Sequence, residues 1–196
     1  MAAKSTTTRT HAGVPDRVAA LLADLVVLSI LAFAVAVVVS VVLGPAVNFD
    51  GGAESLGDAV DTDRGIVVVD ALLTAAVGAV YFIASWVRAG RTPGQRLLGL
   101  DVVAAAGEGR PSLAQAALRW LALIAPFSLA AVLGAASPAL DGAALYLAVA
   151  LWYLVLLVTT ARSRTRRGLH DRLAGTAVAK TALAWSSLRE DPAGVR

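Results

Sequence analysis

Four long apolar runs separated by polar, charged stretches set the pattern of this chain. The first extends from Arg17 to Leu43. No charge occurs between Leu25 and Leu43, where only Ser29 and Ser40 are polar. The others are Ile66 to Val87, Leu113 to Ala136 and Ala139 to Ala161. At ~1.5 Å per residue, each can cross a hydrocarbon core of ~30 Å as a helix. Helices are therefore predicted over about 15–43, 66–87, 113–136 and 139–161. Pro15 suits the first turn of helix one, where its missing N–H is not needed, and Gly44-Pro45 ends that helix. Pro126 predicts a kink in helix three. Ala32, Ala36, Ser40 and Gly44 form a four-spaced small stripe on helix one, as do Ala71, Ala75 and Ala79 on helix two. Such stripes suit close helix approach. Tyr81 and Trp86 fit an interfacial aromatic belt.

The polar stretches are less regular. Residues 1–13 are expected to be a disordered tail. The apolar run that follows exceeds 20 residues, so an uncleaved anchor is expected rather than a signal peptide. Residues 44–65 are a Gly- and Asp-rich loop. Its Asp58, Asp61 and Asp63 lack the order of a calcium loop, and a solvated acidic loop is expected. In residues 88–112, Thr92-Pro93-Gly94 signals a turn. Leu98 to Val103 reads as a short strand, turning at Gly107-Glu108-Gly109. Residues 162–196 open with Arg162, Arg164, Arg166 and Arg167, a juxtamembrane cluster suited to anionic lipid headgroups. The expected fold is thus an all-α membrane protein, a four-helix transmembrane bundle with a small loop-and-tail substructure. Short β pairing of Leu98–Val103 with Thr176–Ala179 is expected there. The membrane domain covers residues 14–180, followed by a tail at 181–196.

Loop charge gives an orientation. Lys4, Arg9 and Arg17 against Asp16 leave +2 at the N-terminus. The first loop is −4, with Asp50, Glu54, Asp58, Asp61 and Asp63 against Arg64. The second is +2, with Arg88, Arg91, Arg96 and Arg110 against Asp101 and Glu108. Asp141 makes the third −1, and the tail carries eight basic and three acidic residues, +5. This alternation predicts four crossings with both termini in the cytoplasm. Composition agrees: 58% of the 196 residues are hydrophobic and the mean hydropathy is +0.73. There are no cysteines, which excludes disulfides and thiol chemistry. His11 and His170 are the only histidines, so no metal site and no cofactor are expected. The net charge of +3 follows from topology and is not a nucleic-acid signal.

Four features carry the candidate chemistry. Asp24 lies seven residues beyond Arg17, close to two turns, so both project from one face about 10 Å apart along the axis. A carboxylate at that depth in lipid costs roughly 2.5–3.5 kcal/mol and must face protein or a wet cavity. Arg119 lies at a matching depth in helix three and is the first expected partner of Asp24, ahead of Arg17 and Arg172. Asp70 reads as a first-turn residue complementing the helix dipole. His170, Asp171 and Arg172 lie in the tail, and Asp171 is expected to pair with an arginine. The cluster is open to two readings: a lock between helices, or a site for an ion, a proton or a polar solute. Enzyme signatures such as G-x-S-x-G, H-E-x-x-H and the P-loop are absent from the sequence. Asp24 and Asp70 lie toward opposite ends, so a twin-aspartate hydrolase is not expected.

These landmarks resemble the RDD family, named for one arginine and two aspartates. Arg17 and Asp24 are similar to its first two signature residues. Arg91-Thr92-Pro93-Gly94-Gln95-Arg96-Leu97-Leu98-Gly99-Leu100, followed by Val102-Val103, resembles its "TPGK-R-LLG-RVV" segment. Gly168-Leu169-His170-Asp171-Arg172-Leu173-Ala174-Gly175-Thr176 resembles its closing "HD-LAGT" segment, with Asp171 as the second aspartate. Gln95 stands where a basic residue is common, and Asp101 where Arg or Lys is common. The resemblance implies a bacterial inner-membrane protein with Arg17, Asp24 and Asp171 as its polar cluster. Arg119, His170, Arg172, Thr92, Pro93, Gly94, Gly175 and Thr176 would support it. It also implies transport of an undefined ligand, with sodium/proton antiport among the suggested activities. Four short helices hardly enclose a pathway, so a homo-oligomer or a membrane partner protein is expected. The alternative is a non-catalytic scaffold that docks a partner on its cytoplasmic face.

Overall fold

The computed structural model describes residues 10–49, 60–106, 109–137 and 139–180. Expectations for residues 1–9, 50–59, Gly107-Glu108, Pro138 and 181–196 lie outside the described residues. Among the described residues, three helices are long and apolar enough to cross a membrane: α1 (Val14–Leu43), α2 (Arg64–Ala89) and α6 (Gly142–Arg162). The third predicted helix is two, α4 (Leu113–Leu123) and α5 (Ala125–Ala136), bent by 56° at the break between them; together they are long and apolar enough for a fourth span if the pair crosses as one. The chain is a mostly helical membrane protein, as its apolar runs dictate.

The bend follows from Pro126, which has no N–H for the Ala122 carbonyl. A carbonyl left open at membrane depth is costly, and α6 supplies the missing donors. Trp152 Nε1 donates to the Ala122 carbonyl and Tyr153 Oη to the Leu123 carbonyl, both at 2.8 Å. The aromatic pair of α6 thus repairs the backbone that the proline opens.

Two small sheets mark the two ends. At one, β2 (Val47–Phe49) and β3 (Val60–Thr62) form an antiparallel hairpin that leads into α2, where Asp63 caps the Ile66 N–H at 3.2 Å. At the other, β1 (Thr10–His11), β5 (Thr176–Lys180) and β4 (Leu100–Ala104) form an antiparallel sheet in the order β1-β5-β4. Val102 opposes Val178. The expected pairing of loop and tail is therefore present, shifted by a residue or two. The end of the N-terminal tail departs from expectation: His11 pairs with Ala179, and Ala12 is fully buried. Two short helices, α3 (Pro93–Leu97) and α7 (Leu169–Leu173), complete the sheet end. The turn expected at Thr92-Pro93-Gly94 is the opening of α3, with Thr92 as its N-cap.

The tight core lies at this sheet end, around Phe82, Trp86, Leu100, Val102, Ala116 and Val178. The reason is the solvent. Burying a large side chain away from water contributes roughly 1.5–3 kcal/mol. Between spans the surroundings are already apolar, and that drive is absent. The spans accordingly expose Phe33 and Val41. Two expectations fail for the same reason. Ala36 and Ser40 of the small stripe are exposed, while Gly78 packs at Leu28. Trp86 is not interfacial but 1% exposed, inside the core.

Candidate functional site

Both signature aspartates are buried at the sheet end, but in different surroundings. Asp24 is 2% exposed on α1. Its Oδ2 accepts from Thr92 Oγ1 at 2.5 Å, and its Oδ1 from Tyr81 Oη at 2.7 Å and from the Gly94 N–H at 2.8 Å. The T-x-x-Q segment builds this cradle. Thr92 and Gln95 form a capping box: the Gln95 N–H donates to Thr92 Oγ1, and Gln95 Oε1 accepts from the Thr92 N–H. With its lone pair engaged by Gln95, the Thr92 hydroxyl is turned to donate to Asp24. Gln95 Oε1 also accepts from Trp86 Nε1 at 3.1 Å. A lysine here has no acceptor for either bond, so Gln95 is more than a lost charge. Gly94 is required by close approach: a Cβ there would overlap the Ala20 carbonyl and the Asp24 carboxylate. Pro93 starts α3 at the position where no N–H is needed.

Asp171 is fully buried and sits between two arginines. Arg17 Nη1 donates to its Oδ2 at 2.6 Å, and Arg119 Nη1 donates to its Oδ1. The Gly168 N–H adds a third bond at 3.3 Å, and His170 Nε2 lies 3.6 Å away. Arg119 also donates to Thr176 Oγ1 at 2.9 Å and lies over the Trp86 ring, 5.2 Å from its centroid. Arg17 Nη2 donates to the Arg166 carbonyl at 2.6 Å. Arg166 adopts φ 50° there, in the left-handed region that a side chain disfavours. Gly168 is held to glycine by the Thr160 hydroxyl, which a Cβ would overlap.

Burial alone would raise the Asp171 carboxyl. Arg119, and with it His170 and Arg17, outweigh burial and hold it well below the usual carboxylate range. Burial first, then Arg119 and Arg17, push His170 down to about 4 against the pull of Asp171. The imidazole is therefore neutral at pH 7.

The expected pairing of Asp24 with Arg119 does not occur, nor does its pairing with Arg17 or Arg172. Depth matched, but the tail folds back on α4 and brings Asp171 to both Arg17 and Arg119 first. Arg172 points away, exposed, with Ser163 Oγ at 3.3 Å. Gly175 turns the chain into β5 and its carbonyl accepts from Gln115 Nε2 at 3.1 Å. Of the basic cluster, Arg162, Arg164 and Arg166 are exposed, whereas Arg167 Nε donates to the Thr176 carbonyl at 2.9 Å. Asp101 meets Arg91 at 3.5 Å, both half-exposed. Sequence reasoning missed Tyr81, Gln95 and Gln115. The two glutamines were legible as T-x-x-Q and S-x-x-Q capping boxes, and Ser112 with Gln115 forms the second. Tyr81 carried no such signal.

Asp24, Arg17, Arg119 and His170 all line a cavity of about 880 Å³ that lies among the spans. The remainder of its wall is largely apolar, and α1 and α6 barely touch beside it. Its size lies within the range of small-ligand sites. Among the described residues, no group of three His, Asp or Glu side chains is arranged to hold a metal.

No curated protein and no solved structure matched this chain. The sequence model of the RDD family matches residues 11–175, from the strand that pairs with the tail to the glycine that follows α7. With Arg17, Asp24 and Asp171 in their places inside that span, the chain belongs to the RDD family.

Proposed function

We propose that this chain is a small ion- or proton-linked transport protein, or a subunit of one, in which Asp24 takes up and releases the transported or coupling ion. The observation that carries this reading is the Asp24 cradle. A buried carboxylate on a cavity wall is bound by two hydroxyls and one amide N–H, none of them a cation. The Tyr81 and Thr92 hydroxyls can donate to a carboxylate or accept from a carboxylic acid. The cradle therefore serves both protonation states, as an exchange site requires. Loop charge supports an inner-membrane orientation with the sheet end and both termini in the cytoplasm. Four spans around one cavity enclose no pathway across the bilayer, so the unit of transport is a homo-oligomer or a complex with a membrane partner. Exposed Arg162, Arg164 and Arg166 would then meet anionic headgroups, at about 1 kcal/mol each. The reading includes no catalysis, cofactor or nucleic acid.

Proteoliposomes test it. Flux of protons and sodium is compared for the parent and Asp24→Asn, which keeps shape but cannot ionise. Unchanged flux in the variant removes Asp24 from the mechanism. A second reading, a scaffold for a partner, is favoured by Leu97 and Leu173, 79% and 57% exposed at the sheet end. Leu97→Ser with Leu173→Ser separates the two: transport keeps its flux, whereas a scaffold loses its partner.

A further inference from the structure

The cavity among the spans is longer and more apolar than an ion needs. Along α1 its wall runs from Arg17 to Ala32. At ~1.5 Å per residue that is about 22 Å, more than one leaflet's half of a ~30 Å hydrocarbon core. Away from the sheet end the wall is apolar except for the hydroxyls of Ser29, Thr74 and Ser128.

Its mouth faces the bilayer. α1 packs on α2, α2 on α5 and α5 on α6, whereas α6 and α1 barely touch. Leu25 on α1 and Leu154 and Leu157 on α6 belong to the cavity wall and are exposed, so the seam between these helices opens sideways. In a membrane that seam meets acyl chains. A polar solute would pay its desolvation to arrive there, and a lipid chain would not. A chain passing from bilayer to cavity exchanges one apolar surrounding for another, so the head group decides which lipid is held.

The groups that could hold a head converge at the sheet end. Arg17, Arg119 and His170 line the cavity there with Asp24. The two guanidiniums share one carboxylate, Asp171, which leaves a surplus of one positive charge. Donor capacity is left over as well: Arg17 Nε and Arg119 Nε have no hydrogen-bond partner among the described residues. Asp24 is the acid on this wall that can offset the surplus, and its carboxylate is already held by neutral donors. A cationic head would face both guanidiniums, whereas an acidic head is attracted by them.

We propose that the cavity holds a membrane amphiphile with an acidic head, a carboxylate or a phosphate, its head at Arg17 and Arg119 and its acyl chain along α1 toward Ala32, entering through the seam between α1 and α6. This goes beyond the transport reading. That reading needs an ion at Asp24, this one a chain among the spans, so flux and lipid binding can fail separately.

Photo-cross-linking tests it. The full chain is placed in phosphatidylcholine vesicles with a fatty acid that carries a diazirine at mid-chain, and adducts are mapped by peptide mass spectrometry. Adducts are expected on Leu28 and Val77 of the cavity wall, and excess oleate or lysophosphatidic acid should suppress them, whichever competes better naming the head. An alkyltrimethylammonium amphiphile should not suppress them. Adducts on the outward-facing Val41 and Leu147 should resist all three competitors. Ala150→Trp, which fills the wall from α6, should lower the cavity adducts at least about tenfold and leave the outer ones. Its size-exclusion profile should match the parent. Asp24→Asn removes the offsetting charge and should raise cavity labelling by the acid probe at subsaturating concentration. Labelling confined to the outer faces, or cavity labelling indifferent to Ala150→Trp, overturns the proposal. Competition by the cationic amphiphile, or a fall in Asp24→Asn, overturns the acidic head.

Discussion

Asp24 and Asp171 carry the same functional group, lie equally deep in protein and belong to the same signature, yet they are held by opposite chemistry. Asp171 faces two guanidiniums and an imidazole. Asp24 faces two hydroxyls and an N–H. The first arrangement fixes a charge and ties α1, α4 and the tail together. The second holds its carboxylate by neutral donors alone, the arrangement that the transport reading takes for an exchange site. The difference teaches that a buried ionisable group is not one kind of thing: its donors decide whether it locks or exchanges.

The largest test removes the lock. Asp171→Ala leaves Arg119 buried without its counter-charge, and breaking one side of a buried pair costs about 3–5 kcal/mol. Thermal unfolding in detergent should show a large loss, or no folded protein. A variant as stable as the parent would show that the arginines hold the helices without Asp171.

The next effect is in pH. His170 falls from an ordinary 6.5 to about 4 in the folded chain, so the unfolded state binds the extra proton between those values. Stability therefore rises with pH across that window. It is fully present above about 6.5 and lost as pH falls toward 4, on the order of 3 kcal/mol. Asp171, also depressed, adds its loss at still lower pH. His170→Gln should flatten the slope between pH 6.5 and 4 in the same unfolding assay. A slope that survives must come from other groups.

Gly94→Ala probes the cradle. The added methyl meets a backbone carbonyl, which cannot swing away, and overpacking of this kind costs about 1–3 kcal/mol. It should lower stability and disturb Asp24 exchange together. Asp24→Asn itself should have the smallest effect on stability, within about 1 kcal/mol, because the amide oxygen can accept from Tyr81 and the Gly94 N–H while the amide NH2 donates to a reoriented Thr92 hydroxyl. Loss of flux at near-parental stability is the expected signature. A collapse of stability would make Asp24 a lock like Asp171 and erase the contrast.

Much of the fold was legible before any coordinates. Apolar runs of about twenty residues admit a helix in lipid, because every backbone group must be satisfied within the segment. Pro126 announced its bend in the same way, by a missing N–H. The β pairing of loop and tail followed from alternation. The boundaries of the short helices did not, although the capping boxes at Thr92 and Ser112 carried that information.

Which polar groups meet was settled by tertiary structure. Sequence gives depth along each span and thus made Asp24 and Arg119 equal candidates for one another. It does not give the angle at which a returning tail crosses them. The β4–β5 pairing fixes where α7 lies, α7 fixes Asp171, and Asp171 takes both arginines. Asp24 is left to the Thr92–Gln95 turn. Depth is a one-dimensional property that composition sets, whereas pairing depends on rotation and on long-range closure.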